Sequence, residues 1–461
     1  AGNPVTAGLS CDIAIFLGHP TSNVSDFRKG GVEMEKHWVL RGDGKEYFDL
    51  GPGMKVICNH LPVDVSPERT VAETMAESLS RPVGASPIEH KLDPSARVVI
   101  LIDDKTRPTP QKEILPVILD RTRAAGVPPD QVDIIVALGT HFPMTEHEIR
   151  ERVGEDIFET YRVRNHDSTA ADQVKICELS DGFPVKVNAT FASADVKIGI
   201  SSVLPHPFNG FGGGPKIVMP GVADYDAIRY HHATTMPKGG VVGNTTTNLF
   251  HDETARIGLA SGLDLSINCV LNSREEVIDA VSGHVIEAHK AAIEKVRAAC
   301  GVSLSEDADL AILSGYPYNM FPHVLKPIPM AFLASKRGGH AILVADVSTG
   351  IPEAILDLIE SVRRRDPLEL LREYARGELV IPGAPIDINL SFPGLAMSMR
   401  MLNVTMVSKD VSPEDAGKLG FGHAPTVQDA LDVLPQHVKE AKVAIFPAGG
   451  ISLPLREKPY F

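Results

Sequence analysis

The sequence predicts an α/β protein, built as two α/β domains with mostly parallel or mixed sheets and an active site in the cleft between them. Three observations predict it. Short, wholly apolar runs at Val98 to Ile102, Val132 to Leu138 and Val196 to Ile200 read as parallel strands covered on both faces. Each run ends in polar, ionisable residues, and a helical stretch from Gln111 to about Ala125 separates the first two. Alternation of this kind places a ligand site beyond the C-terminal ends of the strands.

In chain order, the first 60 residues mix apolar runs such as Ile13 to Phe16 with turns at Gly42-Asp43-Gly44 and Gly51-Pro52-Gly53, which predicts short strands and hairpins. The three buried-strand candidates follow. Glu275 to Cys300 has helical spacing and is expected to cross between domains. Leu310 to Leu313, Ala341 to Ala345 and Val443 to Phe446 are again buried-strand candidates. A chain of 461 residues exceeds one typical core. We therefore divide it near Val302 into a cofactor-binding, catalytic domain over 1–302 and a second α/β domain over 303–461.

Composition bounds the partners. A formal net charge of −14 argues against general affinity for nucleic acid or anionic lipid, which need clustered cations. No uninterrupted apolar stretch of about 18 residues is present, so no membrane span is expected. The five cysteines, Cys11, Cys58, Cys177, Cys269 and Cys300, are scattered without a CxxC pair. That fits a reducing, cytoplasmic setting.

Chemistry concentrates at the strand ends. Asp103-Asp104-Lys105-Thr106-Arg107 follows the first strand, and Arg107 could grip a carboxylate or phosphate in a fork; a strand-ending turn before a helix is the bland alternative. Gly139-Thr140-His141 follows the second strand. The third leads into His206, Gly212-Gly213-Gly214 and Lys216, where glycines let backbone amides approach a phosphate and the lysine adds charge or a nucleophile. It is no Walker motif, because Ile217 follows the lysine. Taken singly, His141 and His206 each read more readily as interior hydrogen-bonding residues; their shared location at strand ends is the argument for function. His231 and His232 are adjacent, so their rings diverge and at most one ligates a given metal.

Taken together in order, the 103–107 stretch, Gly139-Thr140-His141, Asn165-His166-Asp167, the 206–216 loop, Pro220-Gly221 and His232 resemble the lactate racemase family over most of the chain. The resemblance implies a racemase or epimerase that inverts C2 of a 2-hydroxy acid by reversible hydride transfer. It also implies a nickel-pincer nucleotide (nickel pyridinium-3,5-bisthiocarboxylic acid mononucleotide) held covalently through Lys216, with His232 as metal ligand. By the same resemblance, His141 and His206 are acid and base. Arg107 and Lys326 bind the substrate, and Asp104, Thr106, Gly212, Gly213 and Gly214 hold the nucleotide. Proteins that build the cofactor would be partners.

The chain departs from the family pattern where Gly212 takes a usual Ser position and Pro215 precedes Lys216, and where His323 stands near an expected Gln. These departures, with Tyr316 and Asn319, point to a more polar substrate than lactate, such as gluconate. Two other classes compete: a nickel-free oxidoreductase or lyase on hydroxy acids, and a non-catalytic protein that binds anionic sugars or nucleotides.

Overall fold

A computed structural model describes residues 36–62, 65–378 and 386–455, apart from some side chains in the helix Ile386–Met401. Ile13 to Phe16 and Cys11 lie outside the described residues. The other four cysteines are free thiols.

Two six-stranded sheets organise the chain. In the first, the spatial order is Val277–Gly283, Leu265–Leu271, Val196–Ser202, Val98–Ile102, Val132–Val136 and Arg162–Asn165. All neighbours are parallel except the first pair. The expected runs are strands because every side chain of 98–102 and 132–136 is buried. Val98, Ile100 and Ile102 pack with Ile114, Ile118 and Met75 on one face, while Val99 and Leu101 pack with Ile217, Ile228 and Phe250 on the other. Such two-sided cover suits parallel strands.

The second sheet runs Gly422–Ala424, Leu402–Val407, Ser335–Val344, Ala308–Ser314, Lys442–Phe446 and Lys55–Asn59, with every neighbour parallel. Here too alternate residues divide: Ala311 and Leu313 face the helices Pro327–Ala334 and Glu353–Val362, whereas Leu310 and Ile312 face Val39, Phe48 and Val427.

Two expectations need correction. The segment 275–300, expected to be helical throughout, begins as the strand Val277–Gly283 and becomes the helix Glu287–Cys300 only afterwards. A turn decides this. Asn272 Oδ1 accepts from the backbone of Arg274 and Glu276, each at 2.9 Å, and Glu275 takes a left-handed φ of 64°, folding the strand back on 265–271. The second correction concerns the grouping of 1–302. The hairpin His37–Arg41 with Gly44–Phe48 and the strand 55–59 associate with the second sheet, through pairing of Lys55–Asn59 with Lys442–Phe446. Val302 lies between the two sheets along the rest of the chain, on the short strand Gly301–Ser303.

Strand order sets where ligands meet the fold. In the first sheet the chain leaves 98–102 toward 132–136 on one side and returns to 196–202 on the other, so a crevice opens between the carboxyl ends of 98–102 and 196–202. Ile100, with no exposed surface at the centre of this sheet, tests how far the architecture rests on its core. Ile100→Ala is expected to lower the unfolding free energy by about 2–5 kcal/mol in denaturant titration. The exposed Tyr47→Ser should change it by less than about 0.5 kcal/mol.

Candidate active site

The crevice opens into a cavity of about 470 Å³. Asp104, Thr106, Arg107, His141, His206, Gly212, Gly213, Lys216, His232 and Lys326 all line it. Of the residues to which the family resemblance assigns a site role, Gly214 is not among its walls.

The first strand end is shaped by an Asx turn, in which Thr106 N donates to Asp104 Oδ1 at 2.7 Å. Asp104 Oδ2 then faces His141 Nδ1 at 2.6 Å. Burial by itself would raise the Asp104 carboxyl, but the hydrogen bond and charge of His141, with Arg107 and Thr106, hold it well below the usual carboxylate range. Asp104 is therefore a fixed negative charge behind the imidazole. Beside it, Asp103 turns away and binds Arg152 Nη2 at 2.6 Å and Gln111 Nε2 at 2.8 Å. Thr109 links Asp103 to Ser202 Oγ, tying the two strand ends that flank the crevice. The helix Gln111–Ala124 starts at Pro110 without a side-chain cap, so neither aspartate serves as one.

The third strand end carries the glycine loop. Gly213 has φ 76°, and a Cβ there would lie 2.9 Å from Ser202 O, so glycine is required at this turn. Gly214, also left-handed, abuts the His289 ring, and its amide donates to Asn268 Oδ1 at 2.9 Å. It supports the loop rather than facing the cavity. Gly212 N is engaged by Leu204 O at 2.7 Å. His289 Nε2 meets Gly212 O at 2.8 Å, and His251 Nδ1 meets Asn209 O at 3.2 Å, so two histidines brace the loop from behind. Burial pushes His289 down to about 4, keeping it neutral.

Lys216 projects from the short helix Gly214–Ile217 and lies 5.3 Å from the Phe250 ring centroid. It is partly buried and lines the cavity. Surrounding protein, followed by the nearby Arg107 charge, pushes its amine down to about 7. His206 is driven well below its ordinary value by burial, then by Lys216, Arg107, Lys326 and His232. The helix Tyr225–Thr235, capped by Asp224, presents His232 to the cavity while His231 is fully buried off it. His232 Nδ1 donates to Ile228 O at 2.8 Å, which leaves Nε2 as the acceptor nitrogen. Lys326 Nζ sits 4.4 Å from the Tyr318 ring centroid.

Several expectations resolve differently. His166 is 2% exposed and meets Ala223 O at 2.9 Å, while Asn165 Nδ2 donates to Met144 O at 2.7 Å, so this triplet holds loops together. Of Tyr316, Asn319 and His323, only His323 lines the cavity. Tyr316 Oη donates instead to Ser273 O at 3.4 Å, and Tyr318 takes its place in the wall. Sequence reasoning missed Arg152, Asn268 and Tyr318, and also the apolar wall of Ile328, Phe332, Leu390 and Met397. None carries a local signal beyond an ordinary surface or core residue.

Residues 44–241 match the model of the lactate racemase N-terminal domain. Lactate racemase of Lactiplantibacillus plantarum is 33% identical over 285 residues, 60% of this chain and 66% of the relative. The chain belongs to the lactate racemase family. Lactate racemase of Thermoanaerobacterium thermosaccharolyticum is 28% identical over 288 residues, covering 60% of this chain and again 66% of the relative. The match thus spans about two thirds of these family members' length. The fold matches the lactate racemase apoprotein from T. thermosaccharolyticum with a TM-score of 0.80 at 24% identity, over 92% of this chain and 100% of that one. A structural-genomics protein from Thermotoga maritima matches with a TM-score of 0.59 at 17% identity, over 86% of this chain and 100% of that one.

Lys216 offers a direct check of the cavity's electrostatics. Its folded-state value of about 7 lies below the ordinary lysine value of 10.5. Between these limits the unfolded chain binds a proton that the folded one does not, so stability rises with pH across that window. Lys216→Met should therefore stabilise the ligand-free protein most below pH ~7 and have little effect above pH ~10. Denaturant midpoints at pH 6.5 and 10 measure this, and equal gains at both would contradict a depressed amine.

Proposed function

We propose that the protein is an isomerase, a racemase or epimerase that inverts C2 of a 2-hydroxy acid, with a nickel-pincer nucleotide attached through Lys216. The observation that carries this reading is the gathering of Arg107, His141, His206, Lys216, His232 and Lys326 around one cavity. The proposed active site is this cavity, between the loop ends of the two α/β domains.

The residues suit such a cofactor. An amine near 7 is about half unprotonated at neutral pH, far more than an ordinary lysine, and can form a covalent link. His232, with Nδ1 donating to Ile228 O, would hold a soft metal through Nε2. Among the described residues no group of three or more His, Cys, Asp or Glu is placed to hold a metal, which fits a metal whose other donors come from an organic group. Gly213 allows close approach of a nucleotide, beside Asp104, Thr106 and Gly212. When bound, the cofactor supplies a carbon that accepts a hydride from C2 and gives it back.

The chain's own part is binding and proton handling. Arg107 and Lys326 hold the substrate carboxylate, a fork and a point charge that fix the acid while C2 becomes planar. His141, backed by Asp104, accepts the hydroxyl proton through Nε2. Tyr318 and His323 offer hydrogen-bonding groups to a hydroxylated chain, which supports a sugar acid such as gluconate over lactate. No helix among the described residues is long and apolar enough to cross a membrane. We keep a cytoplasmic location and cofactor-building partner proteins as part of this proposal.

Protein purified from cells able to make the cofactor should carry an adduct with matching nickel by intact mass and metal analysis, both lost in Lys216→Ala. Enantiomer interconversion should then be found for hydroxylated 2-hydroxy acids; activity on lactate alone would sink the sugar-acid assignment. Activity without nickel would favour an oxidoreductase or lyase, and ligand binding without turnover a binding protein. Asp104→Asn should lower kcat by about 10²–10⁴-fold, read in the same assay.

A further inference from the structure

The hairpin that joins Leu265–Leu271 to Val277–Gly283 closes through a short loop, 273–275. Asn272 N donates to Glu276 O at 3.0 Å, and Glu275 N donates to Asn272 O at 3.1 Å. A loop of this kind puts its last residue in the left-handed region, a place that suits glycine or asparagine because a Cβ crowds the backbone there. Glu275 holds it instead, with φ 64°, and among the described residues it is the one non-glycine with positive φ. Folding alone favours another residue at this point, and strain of this sort gathers at ligand-binding sites.

The loop belongs to the cavity. Asn272, Ser273 and Glu275 line it, together with Tyr318 from a loop of the second sheet. Tyr316 Oη, donating to Ser273 O at 3.4 Å, ties the two loops. Glu275 and Arg107 both act electrostatically on the Tyr318 hydroxyl, with opposite sign, which sets the three along one stretch of wall. Nearby polar groups are engaged elsewhere: Glu276 Oε2 accepts from Arg274 Nε at 2.9 Å and from Asn272 Nδ2 at 2.7 Å. Asp103 and Asp104, the other carboxylates of the wall, are held by Arg152 and His141. Among the described residues no hydrogen bond or ion pair engages the Glu275 carboxylate or the Tyr318 hydroxyl.

What this pair recognises follows from its chemistry. A carboxylate accepts from the hydroxyls of a polyol and repels a second carboxylate. An ammonium tail would meet Arg107 and Lys326 in the same cavity, whose charges oppose it. A hydroxylated tail suits both Glu275 and Tyr318.

We propose that Glu275 is a specificity-determining residue: with Tyr318 it receives the distal hydroxyls of the substrate, and it excludes acids whose far end carries a second carboxylate. This rests on the racemase reading above and narrows it to monocarboxylic polyhydroxy acids.

Cofactor-loaded enzyme tests this with gluconate and glucarate, which differ at the far carbon by a hydroxymethyl group against a carboxylate. Wild type should prefer gluconate in kcat/KM. Glu275→Gln, which keeps the length and hydrogen-bonding capacity of the side chain and removes its charge, should lower the gluconate-to-glucarate ratio by about tenfold, chiefly through a lower KM for glucarate. A ratio within about twofold of wild type overturns the proposal. Glu275→Gly should raise the midpoint of denaturant unfolding while lowering kcat/KM for gluconate; a less stable protein with unaltered gluconate kinetics overturns it. Loaded wild type that interconverts lactate and no hydroxylated acid also overturns the proposal and leaves the racemase reading standing. Loaded wild type that interconverts no 2-hydroxy acid overturns the racemase reading, and calorimetric binding of gluconate and glucarate to it and to Glu275→Gln then decides the role of Glu275 by the same ratio.

Discussion

Positive charge crowded into a small cavity is the constraint on which the site depends. Arg107, Lys216 and Lys326 open into about 470 Å³ together with His141, His206 and His232. Charges at such separations interact strongly once water is excluded. The fold relieves the repulsion in three ways: Asp104 places one fixed negative charge behind His141, Lys216 gives up much of its proton, and His206 is held neutral by its own loop. What repulsion is left makes the cavity attractive to an anion. The protein as a whole carries −14, so anion selection is a local property of this cavity.

That concentration follows from topology. A parallel sheet whose chain turns back at its centre must display the residues after two adjacent strands to one crevice. Asp103-Asp104 and Ser201-Ser202 end two such strands, and the bridge from Thr109 to Ser202 locks them together. The second sheet, reversing at 308–314 in the same manner, brings Tyr318 and Lys326 from its own loops. The catalytic groups thus ride on turns anchored in fully buried strands. The Asp103–Arg152 pair and the His289 and Asn268 contacts hold those turns in shape.

What the sequence could reveal follows from the range of each interaction. Apolar runs such as 98–102 and the polar residues behind them are local, and both elements and site groups were legible there. Pairing partners are not local. Nothing within 55–59 states that it completes a sheet begun 250 residues later, and the period of 275–283 could not outvote a turn made by the Asn272 side chain. Arg152 looks like any helix-surface arginine until the fold sets it against Asp103. His166 shows the converse error, in which a conspicuous motif histidine serves a carbonyl and nothing else among the described contacts.

Hydrogen-bond direction adds a distinction that residue type hides. His141 and His206 occupy equivalent places after two strands of one sheet, and sequence treats them as interchangeable. Their partners do not. A carboxylate lies behind one ring, and two peptide N–H groups lie behind the other, where they oppose an imidazolium at no cost to the neutral form. Holding His206 neutral spares the cavity a further cation.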